Sequence, residues 1–385
     1  MSLNILIIPS WYPTDENPNS GIFFKEQSEI VAGEKRINVT VLFINYVYRK
    51  QKIERKFFKL YKEKNNNIIL YRVDVPSFGL TRYSPLFYKY HKLIGIYMFR
   101  KIKKKGEFDL IHAHSFIKGG ALALEIKKKY GIPFVITEHF SRISYNNLNS
   151  YETDILKKCC KYADCFITVS KALKRDINNI VKINFHCEII PNLVNSNFVF
   201  EKKDNSFVIA SVGNLISGKK MDVLIKGFFE AHLVEETLEL VIIGDGIQKN
   251  FLNNIIHELN AENYIKLLGS LSRNRVVKCL QKSKCMALIS EKETFGVSYI
   301  EALATGNVLI SYHNGGSEEI ISKENGIFIN KMEPELVKEA ILYIYNNYNN
   351  YNIKEISKNC ITHFGEEAYL NRVLSIYNQI LDNPF

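Results

Sequence analysis

Two carboxylates flank a glycine-led helix start in the stretch from Leu288 to Ile321, and this combination could hold a charged ligand. Glu293 lies in a charged loop, and Glu301 follows after seven intervening residues, two turns into a helical pattern. The first backbone N–H groups of a helix have no partner within it and form the positive end of its dipole. Here these groups belong to Phe295, Gly296 and Val297. The stretch therefore predicts an anion-binding site beside two acidic side chains.

The surrounding pattern predicts a strand–helix–strand unit that would position these residues. Cys285–Ile289 and Asn307–Ser311 are apolar runs typical of buried strands, and Gly306 stands where glycine commonly ends a helix. A further helix start is expected at Ser317. Ligands bind at the carboxyl ends of the strands in such units, so the sequence places the two glutamates at a ligand-binding edge.

Length and composition indicate a two-domain globular protein. The 385 residues are enough for two domains, each with its own hydrophobic core. Hydrophobic residues make up 46% of the chain and charged residues 24%, which is ordinary for a soluble globular protein. No apolar run approaches the length of a membrane span. The N-terminal MSLNILIIPSWYP lacks the basic start of a signal peptide and is predicted to be a first strand. Seven cysteines without metal-type spacing predict reduced thiols and a cytoplasmic location.

Positive charge is concentrated in the first half of the chain. Residues 1–200 carry a net charge of +15 and residues 201–385 a net charge of −4, which together give the +11 of the whole chain. Segment 49–105 alone carries 17 basic and 3 acidic residues, with aromatic and aliphatic residues between them. The pattern of residues 88–105 predicts a basic amphipathic helix. This helix would either lie on an anionic membrane surface, or pack an apolar stripe on the core and expose its basic face to solvent. No nucleic-acid-binding motif accompanies the charge, so nucleic acid is not expected as a partner.

Predicted strands and helices alternate along the chain, which is typical of doubly wound α/β domains. The first series begins with the strand Leu3–Ile8. Residues 45–84 interrupt it, and they are expected to be irregular apart from a short strand near Ile68–Val73. A polar stretch then precedes a second series of the same kind. We therefore predict an N-terminal domain at residues 1–195 and a C-terminal domain at residues 200–365.

A set of short motifs, ordered along almost the whole chain, resembles the retaining glycosyltransferases of family 4. The E-x7-E signature of that family matches Glu293 to Glu301, with Gly315-Gly316 after it. The other matches are Pro9-Ser-Trp-Tyr-Pro13, Gly21-Ile-Phe, Asp109-Leu-Ile-His-Ala-His114, Thr137-Glu-His139, Ile190-Pro-Asn192, Val212-Gly213 with Lys219, and Ile243-Gly-Asp-Gly246. Each motif is weak alone, whereas the ordered set is specific.

This resemblance implies the GT-B fold, in which two Rossmann-like, doubly wound α/β domains face each other across a cleft. The C-terminal domain would hold most of a nucleotide-sugar donor, a UDP- or GDP-sugar, and the final helix at 366–385 would cross back to the N-terminal domain. The implied catalytic residues are His114, Lys219 and Glu293. The implied donor-binding residues are Gly21, Gly213, Asn214, Lys219, Phe295, Gly296, Val297 and Glu301.

The resemblance also implies a role for each main site residue. Lys219 would add a positive charge to the leaving diphosphate. Glu301 would accept hydrogen bonds from the ribose hydroxyls, and Glu293 would lie near the transferred sugar. His114 would hydrogen-bond the donor sugar, and Gly21 would let backbone amides approach the phosphates.

Four further residues of the N-terminal half receive looser assignments. His112, two residues before His114 at the same strand end, is expected to point to the opposite face and to be structural. His139 ends another predicted strand and is either a site residue or a strand-end histidine with its own partners. Glu138 and Arg142 are candidates for contact with the acceptor.

Two departures from familiar glycosyltransferase patterns bear on function. Asn214 stands where the family usually has an arginine that clamps the diphosphate, so one positive charge is missing. Either Lys220 compensates for this charge, or donor binding is weaker, or the chain is a degenerate member. No Asp-x-Asp motif, which holds a divalent cation in transferases of the other common fold, occurs in the sequence. We therefore predict an enzyme without a metal or other cofactor, in which protein charge and a helix dipole act on the diphosphate.

The leading functional hypothesis is a retaining, metal-independent hexosyltransferase of surface polysaccharide biosynthesis. It would move a sugar from a nucleotide-sugar donor to a glycan or lipid-linked acceptor, peripherally at the inner face of the cell membrane. One alternative is another GT-B enzyme, such as a nucleotide-sugar 2-epimerase, which would consume donor without an acceptor. A second alternative is a non-catalytic member, which would bind nucleotides or glycans without turnover.

Overall fold

The computed structural model describes residues 2–47, 58–65, 67–81 and 84–382 of the chain. It divides into two compact units, the first formed by residues 1–191 with residues 370–385 and the second by residues 192–369. Each unit is built on one sheet whose strands alternate with helices along the chain. The chain is therefore an α/β protein with two Rossmann-like domains, as the sequence pattern predicts.

The sheet of the first unit has its strands in the spatial order β3-β4-β2-β1-β5-β6-β7-β8. These strands are β1 (Leu3–Pro9), β2 (Ile37–Val47), β3 (Lys59–Asn65), β4 (Ile68–Pro76), β5 (Leu110–His114), β6 (Phe134–Glu138), β7 (Cys165–Thr168) and β8 (Cys187–Ile189). The pairs are parallel except for β3 with β4, which is antiparallel. Strands β5, β6 and β7 are buried at every residue, because parallel strands are covered on both faces.

Five helices and a π-helical turn at Ser115–Gly120 connect these strands. The helices are α1 (Ile22–Gly33), α2 (Pro85–Lys103), α3 (Ala121–Tyr130), α4 (Ser150–Tyr162) and α5 (Lys171–Val181). Local sequence sets several of their ends. Asn149 and Glu152 form a capping box at the start of α4, and Gly131, with φ at 74°, ends α3.

The second unit has a six-stranded, fully parallel sheet in the order β11-β10-β9-β12-β13-β14. Its strands are β9 (Phe207–Val212), β10 (Leu238–Ile243), β11 (Ile265–Leu267), β12 (Cys285–Leu288), β13 (Val308–Tyr312) and β14 (Gly326–Ile329). Its helices are α6 (Met221–His232), α7 (Lys249–Glu258), α8 (Arg273–Lys282), α9 (Val297–Ala304), α10 (Pro334–Asn347) and α11 (Ile353–Phe364). The helix start expected at Ser317 is only a 3-10 turn, Ser317–Glu319.

The last helix, α12 (Glu366–Leu381), begins in the second unit and belongs to the first unit from Leu370 onwards. Within the first unit its residues Val373 and Tyr377 are buried. Among the helices of the described part of the chain, none is long and apolar enough to cross a membrane.

Each sheet reverses its winding direction at one pair of neighbouring strands. In the first sheet, the strands that follow β1 are added on one side of it, beginning with β2. From β5 onwards the strands are added on the other side of β1, so the reversal lies between β1 and β5. In the second sheet the same reversal lies between β9 and β12. Loops leave in opposite directions at such a point and open a crevice at the carboxyl ends of the strands, where ligands bind in open α/β sheets.

The prediction that residues 45–84 are irregular apart from one short strand is wrong where the structure describes them. Strand β2 continues to Val47, and Lys59–Asn65 pairs antiparallel with a strand that reaches Pro76. Residues 48–57, 66 and 82–83 of this segment lie outside the described residues. Strand β3 was missed because Lys-Leu-Tyr-Lys-Glu-Lys-Asn has no apolar core face, and all but one of its residues are exposed.

Candidate active site

The reversal point of the second sheet brings Lys219 and Glu293 together. Lys219 ends the 3-10 turn Ser217–Lys219 that follows β9, and Glu293 lies in the loop that follows β12. The Lys219 ammonium donates to the Glu293 carboxylate, and only 18% and 13% of the two side chains are exposed. The same two loops are joined by a backbone bond from Glu291 N–H to Gly218 O of 2.8 Å. A lysine and a glutamate 74 positions apart thus form one partly buried ion pair at a ligand-binding edge.

The neighbouring lysine has a different partner. Lys220 Nζ lies 2.6 Å from Glu291 Oε1, and 31% and 40% of these side chains are exposed. Asn214, which stands where the family usually has an arginine, is exposed in the loop between β9 and the turn Ser217–Lys219. Lys219 and Lys220 are therefore both ion-paired, and Lys219 has the more buried partner.

The N-terminus of α9 stands beside the Lys219–Glu293 pair. Gly296, with φ at 90°, precedes Val297, the first helical residue. Phe295 is buried, and the Glu293 N–H donates to Asn314 O at 3.0 Å. A side chain on Gly316 would overlap the Phe295 carbonyl, so only glycine allows these backbones to approach so closely. The helix start, whose first N–H groups form the positive end of the dipole, therefore directly follows the loop that carries Glu293.

Glu301 is almost completely buried on α9 and pairs with Arg273, the first residue of α8. The guanidinium carbon of Arg273 lies 4.6 Å from the centre of the Phe198 ring. The sequence analysis missed Arg273. A signal for it was available, since a basic residue in the first turn opposes the helix dipole and needs a compensating acid elsewhere.

Two glycines hold the ends of β9 and β10 close together. Gly244 has φ at 150°, and a side chain there would overlap the Gly213 carbonyl. The Gly213 N–H donates to Ile243 O at 3.0 Å. A Cβ on Gly213 would make ordinary van der Waals contact with the Lys219 side chain, whose nearest carbon would lie 3.7 Å away. The turn that carries Gly213 therefore borders the Lys219 side chain.

In the first unit, His114 ends β5 at the reversal point of the first sheet. Its ring centre lies 4.9 Å from that of Phe24, 4.5 Å from that of His112 and 5.8 Å from that of His139. Neither ring nitrogen has a hydrogen-bond partner among the described residues. Burial, with smaller contributions from the two neighbouring histidines, holds the pKa of His114 well below its ordinary value. His114 is therefore a neutral imidazole whose nitrogens are not engaged by the described part of the chain.

The prediction that His112 points away from His114 is wrong. Their rings stack with an interplanar angle of 23°, because residues two apart in a strand point to the same face. His112 Nδ1 bonds Tyr377 Oη at 2.6 Å, and its Nε2 bonds Thr137 Oγ1 at 2.7 Å. The two hydrogen bonds to protein groups agree with the expectation that His112 is a structural residue.

The structure places Glu138 and Arg142 within the protein framework. The buried Glu138 carboxylate accepts hydrogen bonds from the backbone N–H groups of Phe116, His139 and Phe140 and from Ser115 Oγ. Burial raises the pKa of Glu138, although these four donors act in the opposite direction. Arg142 makes a two-pronged pair with Glu152, at 2.8 and 3.0 Å. Both groups are thus held by contacts inside the first unit.

Gly21 and His139 lie near His114. Gly21 has φ at 69° and precedes α1, and a built Cβ there would lie 2.7 Å from Trp11 O. A side chain at this position would be strained, so glycine is required for the turn. The His139 ring lies 5.2 Å from that of Phe23 and is nearly buried.

Two protein-family models match adjoining parts of the chain. The model described as "Glycosyltransferase Family 4" matches residues 38–198, and the model described as "Glycosyl transferases group 1" matches residues 195–360. Together they span well over half of the sequence. The chain belongs to glycosyltransferase family 4.

Relatives of this family 4 glycosyltransferase agree with the assignment. It is 27% identical to the alpha-monoglucosyldiacylglycerol synthase of Acholeplasma laidlawii over 316 residues, 74% of this chain and 78% of that protein. It is 22% identical over 362 residues to the putative teichuronic acid biosynthesis glycosyltransferase TuaC of Bacillus subtilis, 88% of each chain. The crystal structure of Anabaena HepE in complex with UDP-glucose superposes with a TM-score of 0.71 at 16% identity, covering 98% of this chain and 100% of that chain. These likenesses show a glycosyltransferase with the GT-B fold.

The side chains that commonly bind metal ions do not form a cluster within the described residues. Within the described ranges of this family 4 chain, no group of three or more His, Cys, Asp or Glu side chains is placed to hold a metal ion. The seven cysteines are free thiols, and six of them are buried.

Proposed function

We propose that the chain is a retaining glycosyltransferase that uses a nucleotide sugar as its donor. The observation that carries this proposal is the Lys219–Glu293 ion pair at the reversal point of the second sheet, beside the start of α9. A diphosphate leaving group gains negative charge as its bond to the sugar breaks. Lys219 and the N–H groups of Phe295, Gly296 and Val297 are the positive groups that stabilise that charge.

The reaction needs no redox partner. The bond between the sugar C1 and the diphosphate oxygen breaks, and a bond between C1 and an acceptor oxygen forms. The proton of the acceptor hydroxyl leaves with the nucleoside diphosphate. When the donor is bound, Lys219 turns its ammonium to the diphosphate, and Glu293 accepts hydrogen bonds from hydroxyls of the transferred sugar.

The Glu301–Arg273 pair is the proposed ribose site. A buried carboxylate that is held by a guanidinium is fixed in direction, and Glu301 is proposed to accept hydrogen bonds from the ribose hydroxyls. Gly213 and Asn214 are proposed to border the diphosphate, since a Cβ built on Gly213 would lie 3.7 Å from the Lys219 side chain. The role of Gly21 beside the phosphates stays a prediction from the family resemblance. In the first unit, His114 is assigned to the transferred sugar, since its ring nitrogens are free of described protein partners.

Charge on the protein takes the place of a divalent cation in this proposal. In transferases that use such a cation, carboxylates hold it on the diphosphate. Here the carboxylates nearest the proposed diphosphate site, Glu293 and Glu291, are each paired with a lysine. The donor itself is a UDP- or GDP-sugar, as the family resemblance implies, and HepE has been crystallised with UDP-glucose.

A panel of UDP-, GDP- and ADP-sugars, with and without EDTA, tests the proposed activity. Release of nucleoside diphosphate would be followed by ion-exchange chromatography, with membrane lipid extract or oligosaccharides as acceptors. We expect one donor to be consumed, at equal rates with and without EDTA. Donor conversion to a 2-epimer, binding without turnover, or a strict requirement for Mg²⁺ or Mn²⁺ would each contradict the proposal.

The outer face of α2 supports a lipid-linked acceptor at an anionic membrane. The core face of α2 is buried, yet three large apolar side chains also point outward: Leu86, Leu93 and Tyr97 are 59%, 65% and 56% exposed. Lysines and arginines surround them on α2 and on the adjacent α3: Lys89, Lys92, Arg100, Lys101, Lys128 and Lys129. A helix that exposes apolar side chains within a cluster of cations fits a surface of anionic lipid. The acceptor is accordingly proposed to be a lipid-linked glycan or glycolipid, as in the glycolipid-forming Acholeplasma relative.

Charge reversal on this face is expected to abolish vesicle binding. The purified chain should sediment with phosphatidylglycerol-containing vesicles and not with phosphatidylcholine vesicles, because each basic residue near an anionic surface contributes about 1 kcal/mol. The variant K89E/K101E should stay in the supernatant. The matched control K323E/K354E reverses two exposed lysines of the second unit and should sediment like the wild type. Failure of the wild type to sediment, or equal loss in both variants, would show that the face is only solvated.

A further inference from the structure

The His114 imidazole is oriented by packing alone within the described part of the chain. A histidine that acts on a ligand is usually fixed by a hydrogen bond to its second ring nitrogen, which sets the tautomer and the ring direction. His114 has no such bond from the described residues, and its side chain is fully buried. Its ring instead stacks on His112, with the ring centres 4.5 Å apart, and packs against Phe24. The direction of His114 therefore depends on how firmly its stacking partners are held.

His112 is held at both ring nitrogens. Its Nδ1 bonds Tyr377 Oη at 2.6 Å, and its Nε2 bonds Thr137 Oγ1 at 2.7 Å. Burial lowers the pKa of His112 to about 3, so the ring is neutral, and one nitrogen donates while the other accepts. Tyr377 and His112 are both buried, and their rings meet edge to face at 5.7 Å. Because both side chains are shielded from solvent, these bonds fix the ring plane of His112.

Tyr377 comes from a distant part of the chain. It lies on α12, 265 positions after His112, in the segment that belongs to the first unit. Without this helix, His112 would keep only its bond to Thr137 on the neighbouring strand β6, and its ring could turn about that single contact.

We propose that Tyr377 and His112 are positioning residues for His114, with the hydroxyl of Tyr377 fixing the ring against which His114 stacks. This inference rests on the proposed function, because His114 is assigned there to the transferred sugar. The returning helix thus contributes to transfer without touching the substrate. His112 and Tyr377 orient the ring of His114 and do not take part in the chemical step.

The variant Y377F removes the hydroxyl and keeps the ring. We expect kcat to fall roughly tenfold with the donor KM unchanged, because small misplacements of a site group cost rate more than binding. The matched control is Y369F, a buried tyrosine eight residues earlier on the same helix, for which no ring contact with His112 or His114 is found among the described residues. Y369F should leave kcat within twofold of wild type, and the two variants should unfold at similar temperatures.

A second readout separates this inference from the proposed activity. In protein labelled with ¹³C and ¹⁵N at histidine, the His114 ring resonances, assigned with the variant H114Q, should move in Y377F and stay in place in Y369F. If the wild type transfers no sugar but these resonances move, the proposed function fails while the positioning role stands. Unchanged His114 resonances in Y377F, or an equal loss of kcat in Y377F and Y369F, would overturn the inference.

Discussion

Replacing Lys219 by methionine is expected to lower kcat by about 10²- to 10³-fold, the usual cost of removing one group that stabilises developing negative charge. Methionine keeps the length and the apolar stem of the side chain but loses the ammonium. The partly buried Glu293 then loses its ion pair with Lys219, and in the proposed site the diphosphate loses the positive charge of that lysine. Steady-state release of nucleoside diphosphate from the preferred donor measures the effect.

The adjacent lysine provides a matched control. Lys220 pairs with Glu291 in a more exposed setting, so K220M removes the same charge from the same turn without removing the proposed contact. We expect K220M to keep kcat within about threefold of wild type, in line with the small effect of exposed ion pairs. Circular dichroism should show cooperative unfolding for both variants. Equal activities of K219M and K220M would rule out the assigned role of Lys219.

Lowering the pH from 7 to 5 is expected to destabilise the first unit by several kcal/mol, because three buried histidines are neutral there. Burial lowers the pKa of His91 and of His112 to about 3, and it lowers that of His114 well below 6.5. His91 Nε2 donates to Lys118 O at 3.2 Å, and its Nδ1 accepts from Tyr46 Oη at 2.8 Å. The positive charge of Lys118 lowers the pKa of His91 further.

The direction of this effect follows from proton binding. Between about pH 6.5 and pH 3 the unfolded chain binds a proton at His91 and at His112 and the folded chain does not, so stability rises with pH and falls on acidification. His91 and His112 each contribute about 2 kcal/mol between pH 7 and 5, and His114 acts in the same direction. Glu138 acts in the opposite direction, since burial raises its pKa and the folded chain then takes up that proton first. One carboxyl against three histidines leaves a net loss of stability.

Urea unfolding at pH 7 and pH 5 measures the loss. The variant H91Q should unfold with a weaker pH dependence than the wild type, because one of the three groups is gone. The control H257Q replaces a histidine whose side chain is 82% exposed, so the three buried histidines remain and the loss of stability between pH 7 and pH 5 should persist. A midpoint that is equal or higher at pH 5 would contradict the neutral state of these histidines.

The sequence predicts the second unit well because its strands are short apolar runs between clear helix signals. The predicted strands Cys285–Ile289 and Asn307–Ser311 match β12 and β13 to within one residue at each end, and Gly306 follows α9 with φ at 78° as expected of a helix terminator. A buried parallel strand is mostly apolar, so its limits lie close to the change in composition. The pairing of Lys219 with Glu293 follows from that topology, since both loops leave adjacent strand ends.

The remaining features depend on contacts that local pattern does not encode. Strand β3 pairs at the sheet edge with exposed polar residues, so its composition resembles a loop. The Glu301–Arg273 pair joins two helices, and the bond between His112 and Tyr377 joins residues 265 positions apart. The error over His112 was of another kind, because the two-residue period of a strand already places it on the same face as His114.

The stereochemistry of the transferred sugar is the most direct test of the central claim. The preferred α-linked nucleotide sugar would be incubated with the chain and the membrane lipid extract or oligosaccharide acceptors, and the anomeric configuration of the first glycoside formed would be determined by ¹H NMR. The account predicts consumption of the donor, release of nucleoside diphosphate and an α-anomeric product, with all three lost in K219M. A β-anomeric first product, or donor binding without consumption across the whole panel, would contradict it.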